Sequence, residues 1–140
     1  MSFCTAVNCI DGRVQVPVIE YMKDRFGTAY VDVVTKPGPV RVLSEGGDPE
    51  LQASIRRRVA ISVESHGSVG IAVVAHADCS GNPLGRDEQF DQLSASVDRL
   101  SQWFPGVPIL GLWLGEDWAV EEILSAGGPH TEDTAAGQAA

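Results

Sequence analysis

The feature that most limits the possible folds is a nearly continuous apolar run at residues 68–75, with the sequence SVGIAVVA. A strand of this composition is typical of a parallel sheet that helices cover on both faces, because neither face then meets water. Three other runs rich in strand-forming residues lie at 3–8, 29–35 and 107–114. The chain is therefore expected to build its core around buried strands.

Segments with apolar residues at helical spacing separate these runs. The first begins near Pro17, which suits the opening turn of a helix, and the second begins at Asp48. A third covers residues 87–104, and residues 117–124 predict a short final helix with Trp118 available for packing. This alternation predicts a three-layer α/β fold, with a four-stranded, mainly parallel sheet and crossover helices on both faces. The strand order is expected to be 2-1-3-4.

Length and composition predict one domain at residues 1–125 and a flexible tail at residues 126–140. A chain of 140 residues is long enough to bury roughly two-thirds of its unfolded surface. The tail consists mainly of Gly, Ala, Thr, Pro and acidic residues and has almost nothing to bury, so His130 within it is given no role.

Charge and hydropathy exclude several kinds of partner. The net charge of -9 repels phosphate backbones, which argues against nucleic acid, and the arginines at 56–58 are interpreted as a solvated helix face. No apolar run approaches the roughly 18 residues of a membrane helix. Since no secretory signal is found, we expect a cytoplasmic protein with reduced cysteines, of which Cys4 belongs to the core.

Metal-binding side chains follow two of the predicted strands. Cys9 comes directly after the first strand, and His76 and Cys79 come directly after the third. The carboxyl ends of parallel strands lie at one edge of a sheet, so these side chains are expected to meet. Two thiolates and one imidazole suit Zn2+ and leave one of its tetrahedral positions open, which is typical of a catalytic rather than a structural zinc site.

The spacing of Cys9, Asp11 and Arg13 adds a second element to this site. A loop that leaves a strand can direct the side chains at i, i+2 and i+4 to one side. Asp11 would then reach the open position of the metal or the water there, and Arg13 would fix Asp11 through a bidentate pair. Two resting states stay open, with either water or Asp11 itself in the fourth position.

These motifs resemble those of the β-class carbonic anhydrases, in which Cys-x-Asp-x-Arg follows the first strand and His-x-x-Cys follows the third. The resemblance covers the layout of residues 3–124. It implies that Cys9, His76 and Cys79 bind zinc and that Asp11 and Arg13 form an acid–base or gating dyad. It also implies reversible hydration of CO2 to bicarbonate, for which zinc lowers the pKa of its water towards about 7.

The chain differs from that family outside the motifs. The first strand begins near residue 3, where relatives have an N-terminal helical arm, and the segment at 36–39 replaces a usual Ala-Gly-Asn. In the family the substrate pocket is completed across a dimer interface. The resemblance therefore implies a homodimer or a higher homo-oligomer.

Three alternatives remain for the function. The same site could act on a molecule related to CO2, such as carbonyl sulfide or carbon disulfide. The shape of the pocket decides between these substrates, and residues 37–42 and 113–118 are expected to form it. The chain could instead be an inactive zinc-binding module. In the simplest alternative Cys9 and Cys79 are core thiols and His76 is a satisfied buried histidine, which leaves the neighbouring acidic and basic residues without a reason.

Overall fold

A computed structural model of the chain describes residues 2–128. In this part of the chain the strands are β1 Phe3–Asn8, β2 Tyr30–Thr35, β3 Ile71–His76, β4 Ile109–Leu114 and β5 Val120–Ala126, and the helices are α1 Gln15–Phe26, α2 Pro39–Ser44, α3 Pro49–His66 and α4 Arg86–Trp103. They form one sheet of order β2-β1-β3-β4-β5. The pairs β1–β2, β1–β3 and β3–β4 are parallel. The predicted order of the first four strands is thus confirmed.

Helices cover both faces of the sheet, as predicted. On one face Val18 of α1 packs into a cluster that includes Cys4, which is fully buried. On the other face Ile55 of α3 and Leu93 of α4 pack with Val73 of β3. The central strand β3 is buried along its whole length, which explains its continuous apolar sequence.

The fifth strand corrects the prediction of a four-stranded sheet and of a final helix at 117–124. Val120–Ala126 pairs antiparallel with β4 and covers an edge whose backbone groups would otherwise be unpaired. The register shifts between Gly111 and Leu112, so that Ile123 has no residue opposite it. An extra residue of this kind breaks the alternation of apolar and polar side chains. The sequence of Val120–Ala126 therefore lacks the alternating pattern of a strand, which led to the prediction of a helix.

Helix ends follow local sequence signals. The Oδ1 atom of Asp48 accepts a hydrogen bond from the backbone N–H of Leu51 at 3.1 Å and so caps α3. Gly67 ends the same helix in the left-handed conformation, at φ 65°. The short helix α2 was not predicted; it begins with Pro39, directly after Gly38, which is in the left-handed conformation at φ 58°.

The predicted C-terminal tail lies almost entirely outside the described residues. Ala126, expected as the first residue of a flexible tail, is the last residue of β5, and residues 129–140, including His130, lie outside the described residues. The prediction of one domain at 1–125 stays a prediction. Within residues 2–128, no helix has both the length and the apolar character needed to cross a membrane.

Candidate metal centre

Three metal-binding side chains meet at one edge of the sheet. Cys9 follows β1 directly, His76 is the last residue of β3, and Cys79 lies in the loop after β3. The Sγ atoms of Cys9 and Cys79 are 3.9 Å apart, and one ligand atom from each of the three side chains lies within 4.8 Å of the others. Two sulfurs bound to one tetrahedral Zn2+ at about 2.3 Å are separated by roughly 3.8 Å. The spacing therefore fits a shared ion.

The imidazole of His76 is oriented for coordination. His76 is 1% exposed, and its Nδ1 lies 2.6 Å from the carbonyl oxygen of Ala77. Because that oxygen can only accept, Nδ1 carries the proton, and in the neutral ring Nε2 has a free lone pair. Nε2 is buried and has no hydrogen-bond partner among the described residues. A buried nitrogen left free while a carbonyl fixes the other nitrogen is typical of a metal-binding histidine.

The surroundings of the two thiols favour one negative charge and oppose a second. Burial raises the pKa of Cys9, whereas the imidazole of His76 lowers it. Backbone N–H groups of Gly38 and Asp11 lower it further, so that the pKa of Cys9 falls to about 7. Burial and the neighbouring Cys9 raise the pKa of Cys79. Two buried thiolates need a compensating positive charge, which a divalent cation would supply, so this donor set fits Zn2+.

Two glycines bring the loops around the sulfurs together. A Cβ atom added at Gly81 would lie 2.7 Å from the backbone carbonyl carbon of Pro37, and one added at Gly38 would lie 2.8 Å from the Cβ of Asn82. Backbone N–H groups of Gly81 and Asn82 hydrogen-bond to Cys79 and oppose the rise of its pKa. Glycine at both positions thus lets the main chain approach the sulfurs. Gly38 lies in the segment at 36–39 that differs from the family, and neither glycine was predicted to belong to the site.

Asp11 and Arg13 form a bidentate ion pair beside the sulfurs. Nε of Arg13 donates to Oδ1 of Asp11 at 3.0 Å, and Nη2 donates to Oδ2 at 2.7 Å. Oδ1 also accepts from the backbone N–H of Arg13 at 2.9 Å, at the start of a 3-10 turn over Gly12–Val14. Hydrogen bonds from Arg13 hold the pKa of Asp11 at about 2. The carboxylate is therefore ionised at neutral pH, and its oxygens are bound to Arg13.

Two glutamines hold the loops that carry these residues. Nε2 of Gln15 donates to the backbone carbonyl oxygens of Cys9 at 2.7 Å and of Asp11 at 3.0 Å. Nε2 of Gln89, which is buried in α4, donates to the backbone carbonyl oxygen of His76 at 3.0 Å. Neither glutamine carries a signal in the sequence that would separate it from an ordinary polar helix residue.

Arg13 has two further neighbours that sequence analysis did not assign to the site. Nη1 donates to Oδ2 of Asp78 at 3.2 Å, and Nη2 donates to the backbone carbonyl oxygen of Asp78 at 3.2 Å. Cζ of Arg13 lies 4.3 Å from the centroid of the Trp118 ring. Asp78 lies inside the His-x-x-Cys motif, and this position could have identified it as a site residue from the sequence. Trp118 had no such signal, because it is distant in sequence and was expected only to pack.

Two cavities adjoin the loops of the site. One has a volume of about 560 Å3 and is lined by Asp78, Arg86 and Trp113, among others. The other has a volume of about 350 Å3 and is lined by Pro37 and Arg41, among others. Both segments that were expected to shape a pocket therefore line cavities, but Cys9, His76 and Cys79 are not among the residues that line either one. The part of the two segments in substrate binding stays a prediction.

A comparison with family models identifies the chain. The model described as "Putative carbonic anhydrase" matches residues 1–124. The chain belongs to this carbonic anhydrase family. The expected kinship with the β-class carbonic anhydrases is thereby confirmed, and the family match spans both the Cys-x-Asp-x-Arg and the His-x-x-Cys motifs.

Solved β-carbonic anhydrases have a similar fold to this carbonic anhydrase family member. A structure of two tetrameric β-carbonic anhydrases from Sordaria macrospora matches with a TM-score of 0.58 and 12% identity, over 89% of this chain and 82% of that chain. The β-carbonic anhydrase CafA of Aspergillus fumigatus matches with a TM-score of 0.51 and 13% identity, over 97% of this chain and 81% of that chain. At these identities the likeness establishes the fold. A search of the curated proteins gave no significant match.

The structure brings all the predicted site residues of this family member together. The ligand group contains Cys9, His76 and Cys79, and the adjoining ion pair contains Asp11 and Arg13. Their roles as zinc ligands and as a catalytic dyad stay predictions.

Proposed function

We propose that this chain binds Zn2+ through Cys9, His76 and Cys79 and is a lyase that reversibly hydrates CO2 to bicarbonate. The observation that carries the proposal is the meeting of Cys9, His76 and Cys79, whose ligand atoms all lie within 4.8 Å of one another. Nδ1 of His76 is bound to the carbonyl oxygen of Ala77, so the buried Nε2 is the nitrogen available to an ion that would also compensate the two thiolates. Membership of the carbonic anhydrase family supports the choice of reaction.

When bound here, Zn2+ would supply a Lewis acid that makes hydroxide available from water near neutral pH. The two sulfurs neutralise the charge of the ion, so this activation is weaker than it would be with three neutral imidazoles. Orientation of the attacking water by the protein therefore matters more. We assign the orientation of that water to the ionised carboxylate of Asp11, because Oδ2 accepts one hydrogen bond from Arg13 and has a further lone pair.

Arg13 determines what Asp11 can do in this reaction. Because Arg13 holds the pKa of Asp11 at about 2, Asp11 orients water but does not retain a proton near neutral pH. The proton then passes to solvent or buffer. Arg13 donates to both oxygens of Asp11, so this ion pair would compete with binding of Asp11 to the ion.

The proposal is tested by stopped-flow CO2 hydration with zinc-loaded protein. We expect Cys79→Ser to lose both zinc and activity. Cys4→Ser is the matched control, because Cys4 is an equally buried cysteine outside the ligand group, and it should keep both. Zinc-loaded wild-type protein that does not accelerate CO2 hydration would contradict the proposal.

The same preparation separates the alternative activities. Release of H2S from carbonyl sulfide is measured beside CO2 hydration. A higher kcat/KM for carbonyl sulfide than for CO2 would favour the sulfur substrate. Zinc binding with neither activity would indicate an inactive zinc-binding module.

We also propose that the chain acts as a homo-oligomer. The Sordaria macrospora structure is of tetrameric β-carbonic anhydrases, which supports this assembly. Two large apolar side chains near Cys9 are largely exposed, with Ile10 at 63% and Val16 at 62%. A partner subunit would cover them. Light scattering of the purified protein tests this, and a monomer at micromolar concentration would contradict it.

A further inference from the structure

Trp118 has an unfavourable backbone conformation. It lies in the turn between β4 and β5, where its N–H donates to the carbonyl oxygen of Gly115 at 3.0 Å. Its φ angle is 60°, in the left-handed region that bulky residues avoid. Residues held in such a conformation persist only when their surroundings fix them, and they cluster at functional sites. Gly or Asn would form this turn more easily, so the presence of Trp calls for a reason.

The conformation places the indole ring against the metal centre. Cζ of Arg13 lies 4.3 Å from the ring centroid, within the range of a cation–π interaction. The centroid of the His76 ring is 5.8 Å away, with an angle of 50° between the planes. Trp118 also packs against the core cluster that contains Cys9 and Cys79. It therefore contacts the dyad and a predicted ligand at once.

The other side-chain contacts found for Arg13 in the described part of the chain are hydrogen bonds to Asp11 and Asp78. The side chain of Asp78 is 79% exposed, so its bond to Arg13 is weakened by solvent. Among the contacts found for the guanidinium in residues 2–128, the one with the Trp118 ring does not depend on a hydrogen bond to an aspartate. Without the ring, Arg13 could tilt away from Asp11 towards Asp78 or water.

We propose that Trp118 is a positioning residue that holds Arg13 in its bidentate pair with Asp11. The catalytic consequence rests on the proposed function, because it matters only if Asp11 orients the attacking water and must stay off the metal. The positioning itself is a property of this chain with or without metal. It can therefore be tested separately.

The direct test follows the Nε–H resonance of Arg13 by 1H–15N NMR in the full-length, metal-free protein, assigned with Arg13→Lys. Wild-type protein should give a ring-shifted resonance that exchanges slowly with water. Trp118→Gly, which suits the left-handed turn but lacks the ring, should lose the shift and exchange roughly 2- to 30-fold faster. Trp118→Phe should keep most of the shift. Because loss of the ring abolishes the shift in any case, the exchange rate decides: an Nε–H that exchanges as slowly in Trp118→Gly as in wild type would overturn the proposal.

A control and a second variant keep the test decisive. Trp103 also lies against an arginine, with Cζ of Arg56 5.3 Å from its ring centroid. Because Trp103 is not part of the site, Trp103→Ala should leave the Arg13 resonance unchanged. If Trp118→Gly does not fold, Trp118→Asn replaces it, because Asn also tolerates a positive φ. An Arg13 Nε–H that exchanges as slowly in Trp118→Asn as in wild type would overturn the proposal equally.

The catalytic consequence has its own outcomes. With zinc bound, Trp118→Gly should lower kcat for CO2 hydration with little change in KM, and Trp118→Phe should restore most of it. Unchanged kcat in a variant whose Arg13 is released would overturn the catalytic link. If wild-type protein has no activity, the proposed function fails, while the NMR result still decides whether Trp118 positions Arg13.

Discussion

Arg13 binds Asp11 through two parallel hydrogen bonds, from Nε at 3.0 Å and from Nη2 at 2.7 Å. A lysine ammonium is a compact point charge and cannot reproduce this planar pair. We expect Arg13→Lys to keep zinc but to lower kcat/KM for CO2 hydration by roughly 10- to 100-fold, as for other residues that orient a metal site. Arg58→Lys, on the exposed face of α3, is the control. Full activity in Arg13→Lys would show that the pair is dispensable.

The close approach of two loops makes Gly81 sensitive to a single added methyl group. A Cβ atom added at Gly81 would lie 2.7 Å from the backbone carbonyl carbon of Pro37. The substitution would therefore force the two loops apart and move the N–H groups around the sulfurs. We expect Gly81→Ala to weaken zinc binding by roughly 10-fold or more. Gly12→Ala is the control within the same site, because nothing lies within 4 Å of a Cβ there. Competition with a chelator measures both affinities, and equal values would contradict the prediction.

Zinc binding should release protons. The pKa of Cys9 is about 7, whereas burial and the neighbouring Cys9 raise the pKa of Cys79, so the metal-free protein at pH 7 still carries thiol protons that the ion must displace. We expect release of more than one proton per ion and an affinity that rises with pH. Calorimetric titration in two buffers of different ionisation enthalpy measures the number. No difference between the buffers would contradict the assignment of both thiols as ligands.

A polar cluster joins α1 to the added strand β5. Oη of Tyr21 donates to Oε1 of Glu122 at 2.7 Å, and Nε of Arg25 donates to the same atom at 3.0 Å. Burial raises the pKa of Glu122, but Arg25 and Tyr21 outweigh it and lower the pKa below its ordinary value of 4.5. Burial and Glu122 raise the pKa of Tyr21 to about 12. The cluster therefore stabilises the fold fully between the ordinary pKa of Glu122, 4.5, and that of Tyr21, 10.0. This stabilisation is lost as pH falls through the lowered pKa of Glu122. It is also lost as pH rises through the pKa of Tyr21 at about 12.

Glu122→Gln should therefore lower the free energy of unfolding near neutral pH and have little effect in acid. Because the cluster is partly exposed, we expect a loss of only about 0.5–1 kcal/mol at pH 7. Glu121→Gln removes the same charge from the adjacent position, which lines the cavity on the other side of the strand, and should cost less. Urea denaturation near neutral pH and in acid measures the free energy of unfolding of each variant. An equal loss of this free energy in Glu122→Gln at both pH values would contradict an electrostatic origin of the effect.

The sequence predicted the parallel strands and the meeting of the site residues, because the strands have local signals and the carboxyl ends of parallel strands lie together. Buried parallel strands have continuous apolar sequences, and parallel strand ends must share an edge, so the approach of Cys9 to His76 followed directly. β5 was missed because its bulge at Ile123 hides the alternation of the strand. Trp118 and Gly81 were missed because their roles depend on tertiary contacts with residues distant in sequence. The cytoplasmic location stays a prediction.

Zinc K-edge X-ray absorption of the purified, zinc-loaded protein tests the central claim most directly. We predict one ion bound by two sulfurs at about 2.3 Å and by two nitrogen or oxygen atoms at about 2.0–2.1 Å. One of the lighter ligands should be His76 and the other water. A protein that binds no zinc, or binds it without sulfur, would contradict the assignment of Cys9, His76 and Cys79 as a shared metal site.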